Sequence, residues 1–292
     1  MTATILIGLG ALLLALFIYA AWIEPAWRLR VVRYTLPMAG WGARAPLKIV
    51  ILSDIHAGAP HVSLRRLRRI VARANAEGGD LAVLLGDYAA AHPYTLGKMS
   101  KDDIIAALKG FTAPLGIYAV LGNHDWWQDS TALKEQRAPE AALALSNHDI
   151  PHLDNEAIRL RGGEEAFWLL GLADQRPLSL DPEEDGFDDL DAAMKQVTDT
   201  APAILLAHEP DIFPDVPAQV LLTLSGHTHG GQIRILGRSP VVMVAESEIF
   251  AYGHYHHGAQ SLIVSGGIGC SDYPIRLGMP PEITVVTITG PT

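Results

Sequence analysis

The stretch Val220-Leu221-Leu222-Thr223-Leu224-Ser225, running into Gly226-His227-Thr228-His229-Gly230-Gly231-Gln232, decides the architecture. Its first half is an apolar run that reads as a buried β-strand, and its second half is a glycine turn that stops the strand. Two histidines on one short loop can aim their imidazoles at a common point, and small neighbours let the backbone come close to whatever sits there. A metal ion is one reading. Two ordinary surface histidines is the other, and this stretch alone does not choose between them.

Working outward, the same event recurs. An apolar strand at 47–53 delivers Asp54 and His56 at its carboxyl end. A second at 80–85 stops at Gly86-Asp87, a third at 116–121 stops at Gly122-Asn123-His124-Asp125, and a fourth at 203–207 stops at His208-Glu209-Pro210. Ligands collect at the carboxyl ends of strands in α/β sheets, because loops there vary above a rigid frame. Between these strands the periodicity predicts helices at 63–76, 101–109, 131–146 and 187–197. The first buries Leu64, Leu67, Ile70, Val71 and Ala74 on one face. Its arginines, Arg65, Arg66, Arg68, Arg69 and Arg73, read as a solvated face rather than a membrane patch. The acidic run 181–191 leads into the last helix, whose first turn favours carboxylates by its dipole, so it reads as structural rather than metal-binding. Further strands are predicted at 29–37, 166–173, 261–265 and 282–289, the last suited to an antiparallel place in a mixed sheet.

The strand ends together carry Asp54, His56, Asp87, Asn123, His124, His208, His227 and His229. Carboxylates, imidazoles and an amide oxygen suit Mn²⁺, Fe²⁺ or Zn²⁺, while the lack of thiolates argues against a structural zinc site. So many ligands exceed the needs of one ion, and two ions sharing a carboxylate is the economical account.

Composition narrows the function. A net charge of -10 over 292 residues argues against a nucleic-acid backbone as partner. The single Cys270 cannot form an internal disulfide. No charged residue interrupts the apolar run from Thr4 to Ile23, which is long enough to cross a bilayer core of about 30 Å. Tyr19, Trp22 and Trp27 fit headgroup-level anchors. A cleaved signal peptide is the rival, but no Lys or Arg precedes the run. Arg28, Arg30 and Arg33 follow it, which by the positive-inside rule places the body in the cytoplasm.

The ordered blocks Asp-x-His, Gly-Asp, Gly-Asn-His-Asp, His and Gly-His-x-His, from Asp54 to His229, resemble the calcineurin-like metallophosphoesterase superfamily. The resemblance implies an α/β fold, a four-layer αββα sandwich of two mixed sheets flanked by helices, here preceded by one transmembrane helix. The apolar run sets an anchor at 1–27, and the resemblance makes 28–292 a phosphoesterase domain. By the family's residue roles, Asp54, His56 and His229 hold one divalent ion, Asn123, His208 and His227 hold the other, and Asp87 bridges them. Mn²⁺ is the expected ion, with Fe²⁺ and Zn²⁺ as alternatives. His124 is the implied general acid and Asp125 its orienting partner. Many members carry an acidic residue or Asn three positions after the bridging aspartate, where this chain has Ala90.

The anchor, Ser53-Asp54-Ile55-His56, Gly230-Gly231-Gln232 and the tail motifs Gly267-Ile268-Gly269, Pro274-Ile275-Arg276 and Pro280-Pro281-Glu282-Ile283 are similar to a membrane-anchored bacterial subgroup. It includes YkuE-like and YaeI-like phosphodiesterases and the chlamydial type of UDP-2,3-diacylglucosamine pyrophosphatase. That similarity implies a phosphodiester or pyrophosphate substrate, lipid-linked, hydrolysed at a bacterial inner membrane through a metal-bridging hydroxide. The rivals are a secreted, wall-associated phosphatase and a non-catalytic scaffold on the same fold, the latter disfavoured because no ligand is missing. Arg276 reads as a clamp on a second phosphate or a structural ion pair. Trp126 reads as the wall of a lipid or sugar entrance or as rim packing. His254, His256 and His257 read as a polar loop rather than a third metal site.

Overall fold

The computed structural model describes residues 2–90, 92–135, 137–162, 165–176, 186–239 and 250–291. Two mixed sheets lie face to face. The strands of the first are β1 (Arg30–Pro37), β2 (Leu47–Leu52), β3 (Leu81–Leu85) and β4 (Ile117–Val120). The second is built from β5 (Glu156–Gly162), β6 (Glu165–Gly171), β7 (Ala203–Leu206), β8 (Val220–Ser225), β9 (Gly253–His257) and β10 (Gln260–Val264). The last strand, β11 (Glu282–Thr289), returns to the first sheet, giving the orders β1-β11-β2-β3-β4 and β5-β6-β7-β8-β10-β9. β11 runs antiparallel to β2, as its alternating apolar and threonine pattern suggested, and parallel to β1.

Period-two alternation explains the layering. In β2, Ile49 and Ile51 point into the core between the sheets, where they meet Ile204, Leu206, Leu222 and Leu224. Val50 and Leu52 point the other way, against the first sheet's helices. Those helices are α3 (Leu64–Asn75), α4 (Lys101–Leu108) and α7 (Glu140–Asn147). On the outer face of the second sheet, α8 (Leu190–Lys195) packs Leu190, Ala193 and Met194 against Leu170 and Leu205. The central strands are therefore buried on both sides and read as continuous apolar runs. Truncating one of these side chains to alanine costs about 2–5 kcal/mol.

Three expectations need correction. Beyond the short α5 (Asn123–Trp127), the helix expected at 131–146 is broken into α6 (Ser130–Glu135) and α7, because Pro139 is extended, with φ -69° and ψ 158°, and stands as the N-cap of α7. The edge strand β5 was not foreseen; its inward side rests only on Ile158 and Leu160, between charged residues. The histidine cluster at 254–257 is not a loop but β9, which pairs antiparallel with β10. There His254 Nε2 meets Ser261 Oγ at 3.1 Å. Part of the acidic run 181–191 lies outside the described residues.

At the amino end, α1 (Thr2–Ile18) continues through a π-turn at Tyr19–Ile23 into α2 (Glu24–Trp27). This run, Thr2–Trp27, contains an 18-residue stretch with a mean hydropathy of 2.4 and is long and apolar enough to cross a membrane. No residue of α1 is buried, whereas Ala20, Ala21, Glu24 and Pro25 are. The end of the helix is docked on the body.

Candidate metal centre

The site's backbone is forced into shape. Asp54, His56, Asp87, His227 and His229 have φ values of 48°, 37°, 58°, 68° and 53°. Few non-glycine residues adopt this left-handed region. It folds each side chain back over the strand ends toward one point. Glycine is required where these loops nearly touch: a Cβ on Gly122 would lie 2.5 Å from Asp87 Oδ1 and 2.6 Å from the His208 ring. A Cβ on Gly226 would collide with Ser53 Oγ.

Two groups result. Asp54, His56, Asp87 and His229 each bring a ligand atom within 4.8 Å of the others, and His208, Glu209 and His227 do the same. Asp87 Oδ2 lies 3.3 Å from His56 Nε2 and 3.4 Å from His208 Nε2, so one carboxylate oxygen touches both groups. His229 Nε2 is 3.1 Å from His56 Nε2 and 3.5 Å from Asp54 Oδ1. Asn123 Oδ1 stands 3.1 Å from His227 Nδ1. Backbone N–H groups orient the carboxylates: His227 donates to Asp54 Oδ1 at 2.8 Å and His124 to Asp87 Oδ1 at 2.9 Å.

The donor set fits cations. The Leu85 carbonyl accepts from His208 Nδ1 at 2.5 Å, which fixes the proton there and leaves Nε2 for the site. His208 Nε2, His56 Nδ1 and Glu209 Oε1 are buried without a hydrogen-bond partner, and orphaned buried polar atoms are costly unless something else satisfies them. Burial holds His227 and His229 well below the usual imidazole range, so they present lone pairs. Burial also opposes a charged His208, yet the Asp87 carboxylate beside it holds that ring well above its ordinary value. Burial would raise Asp87 in turn, but His208 and His124 hold it well below the carboxylate range. A cation held by these residues would supply the positive charge that this proton supplies.

The implied partnership of His124 with Asp125 is not what the structure shows. Asp125 accepts the backbone N–H groups of Asp87 at 2.9 Å, Gly122 at 3.0 Å and Tyr88 at 3.1 Å. It binds the loop after β3 to the loop after β4. The polar neighbour of His124 is instead Ser271, whose Oγ is 3.3 Å from Nε2.

Arg276 does not face a substrate. It is fully buried, and its guanidinium donates to the carbonyls of Gly269, Gly266 and Met279 while Nη2 approaches His229 Nδ1 at 3.2 Å. It is neither a phosphate clamp nor an ion pair, and it supports the loop behind His229. Trp126 packs edge-on against Phe187 at 5.0 Å and lines a cleft of about 620 Å³ with Leu133 and Asp154. The ring beside His124 is Trp127, also at 5.0 Å. Sequence reasoning missed Glu209, although it directly follows His208, and missed Ser271, for which the sequence carried no signal.

Comparison with known proteins agrees with this geometry. The calcineurin-like phosphoesterase family matches residues 47–231. A Bacillus subtilis protein named uncharacterized metallophosphoesterase YkuE is 30% identical over 82% of this chain and 78% of its own. An Aquifex aeolicus metallophosphoesterase is 30% identical over 90% of this chain and 92% of its own. A Danio rerio protein named transmembrane protein with metallophosphoesterase domain is 30% identical over 83% of this chain and 53% of its own. The chain belongs to the calcineurin-like phosphoesterase family.

Proposed function

We propose that this member of the family is a two-metal hydrolase of a lipid-linked phosphodiester or pyrophosphate, of the UDP-2,3-diacylglucosamine kind. In this reading residues 1–27 tether it to a bacterial inner membrane, with the domain at 28–292 facing the cytoplasm. The observation that supports it most is the Asp87 oxygen touching both ligand groups. Asp54, His56 and His229 would hold one ion, Asn123, His208 and His227 the other, and Asp87 both, with Glu209 beside the second group. Two divalent cations, Mn²⁺ or else Fe²⁺ or Zn²⁺, supply neutralisation of the phosphate oxygens and a water nucleophile active at neutral pH.

The remaining steps belong to the chain. Asp125 fixes Asp87 by holding its backbone, and Arg276 holds the loop behind His229. His124 delivers a proton to the departing oxygen. Burial lowers its imidazole to about 4, and an anionic phosphate alongside favours the charged ring. Trp127 shields that proton from water on one side.

The test is a substrate panel with Mn²⁺-loaded protein: bis-p-nitrophenyl phosphate, nucleotide-lipid pyrophosphates and phosphomonoesters. Turnover is expected to be fastest on the lipid pyrophosphates. Activity confined to phosphomonoesters would overturn the substrate assignment. Carboxyl-terminal reporter fusions read the topology, and a reporter active only outside the cytoplasm would reverse the orientation.

A further inference from the structure

The helix that leads into the body enters at the end of the sandwich that carries the metal-centre loops. Arg276 N–H donates to the Ala20 carbonyl at 2.9 Å, the His61 ring meets the Ala21 carbonyl at 2.7 Å, and Met279 N–H donates to Glu24 at 2.7 Å. These partners sit in the loop after Asp54-x-His56 and in the loop that carries Arg276. Four hydrogen bonds, counting that of Arg66 to the Pro25 carbonyl, fasten the helix to the site.

Length then fixes depth. The wholly exposed part, α1, has 17 residues, about 26 Å at 1.5 Å per residue, close to the roughly 30 Å hydrocarbon core. Burial begins at Ala20, so no slack separates the lipid from the body. The exposed apolar side chains of the neighbouring loops continue the same surface: Trp22 is 50% exposed, Leu96 68% and Tyr273 50%. The loop at 59–61 joins Trp22 to Leu96, and the loop at 94–96 joins Leu96 to Tyr273. Trp22 rests edge-on against His61, Leu96 N–H donates to the Ala59 carbonyl, and the Tyr94 ring lies tilted beside Tyr273 at 6.4 Å.

We propose that this rim, formed by Trp22, Tyr94, Leu96 and Tyr273, is a membrane-docking surface that lies in the lipid headgroup layer and opens the metal centre toward it. The inference rests on the reading of residues 1–27 as a spanning anchor. The occupant is the bilayer itself, because the patch is continuous with the helix that enters it. Aromatic side chains with a polar tip favour this layer. A phosphate in a lipid head group then reaches the metal centre without leaving the membrane surface.

A depth measurement tests it without using activity. The full-length chain with Leu96→Cys, or as reference Glu165→Cys at the start of β6 on the opposite end of the sandwich, is labelled with a fluorophore; Cys270 is buried and stays unlabelled. Each is reconstituted into phosphatidylcholine vesicles with or without headgroup-proximal doxyl lipid. The label at 96 is expected to lose at least half its emission to the doxyl lipid, and the label at 165 none. Equal emission at both positions in protein that floats with the vesicles would overturn the rim while leaving the anchor intact. Protein that does not float with the vesicles would overturn the anchor reading itself, and the rim with it.

Discussion

Asp125 holds Asp87 by the backbone: its Oδ2 accepts the Asp87 N–H at 2.9 Å while sharing itself with the N–H of Gly122. The carboxylate that touches both ligand groups is thus placed by a neighbour that touches neither. Asp125→Ala leaves three buried N–H groups without a partner, each costing about 1–3 kcal/mol. Thermal unfolding should show a loss of roughly 3–9 kcal/mol in all, with metal affinity falling as well. A variant that melts like the parent would remove this role.

Asp87→Asn should lower metal occupancy and turnover together, the latter by at least roughly 100-fold, or about 2.7 kcal/mol of barrier. Metal analysis on the purified variant decides. Two full equivalents with near-parental turnover would disprove the shared-ligand assignment.

His124→Ala should keep its metals. Turnover of substrates with poor leaving groups should fall by about 10²- to 10⁴-fold, the usual worth of a positioned acid. An activated aryl leaving group needs no proton and should lose far less. Equal losses on both would exclude the general-acid role.

Glu209→Gln should weaken binding of one ion equivalent by roughly 10- to 100-fold and leave the other in place, since Glu209 Oε1 is buried 3.7 Å from His227 and bonded to nothing else. Stepwise chelator titration separates the two equivalents. Unchanged titration of both would make Glu209 a packing residue.

His61 makes helix docking sensitive to acid. Burial lowers its folded value to about 4, against roughly 6.5 in the unfolded chain. The unfolded chain therefore binds the proton first. The contribution is complete above about pH 6.5 and is lost as pH falls through about 4, up to ~3 kcal/mol in all. His61→Asn should flatten the fall of melting temperature between these values. An unchanged pH profile would show that His61 does not carry it.

The central strands, and the candidate metal residues that the structure groups beyond them, were legible because both rest on local pattern: apolar runs ended by glycine and followed by His or Asp. The cut in the helix expected at 131–146 was missed, although Pro139 stands in the sequence to mark it. The role of Asp125 was not legible, because its three partners come from two loops and are backbone groups, invisible in a string of side chains. Arg276 misled for a related reason. A guanidinium suits phosphate, but its surroundings are three carbonyls from a loop whose path depends on the docked helix. Edge strands such as β9 lack the apolar signal because only one neighbour covers them.

The left-handed backbone at Asp54, His56, Asp87, His227 and His229 has a bearing on how this chain can evolve. Each such conformation in a non-glycine residue costs on the order of 1–3 kcal/mol. The fold is therefore less stable than its own core would allow. Glycine at any of these positions would relieve the strain and remove a candidate ligand, so selection for stability and selection for metal binding pull in opposite directions at the same five residues. A lineage freed from catalysis would be expected to lose its ligands first, by drift toward a sturdier protein.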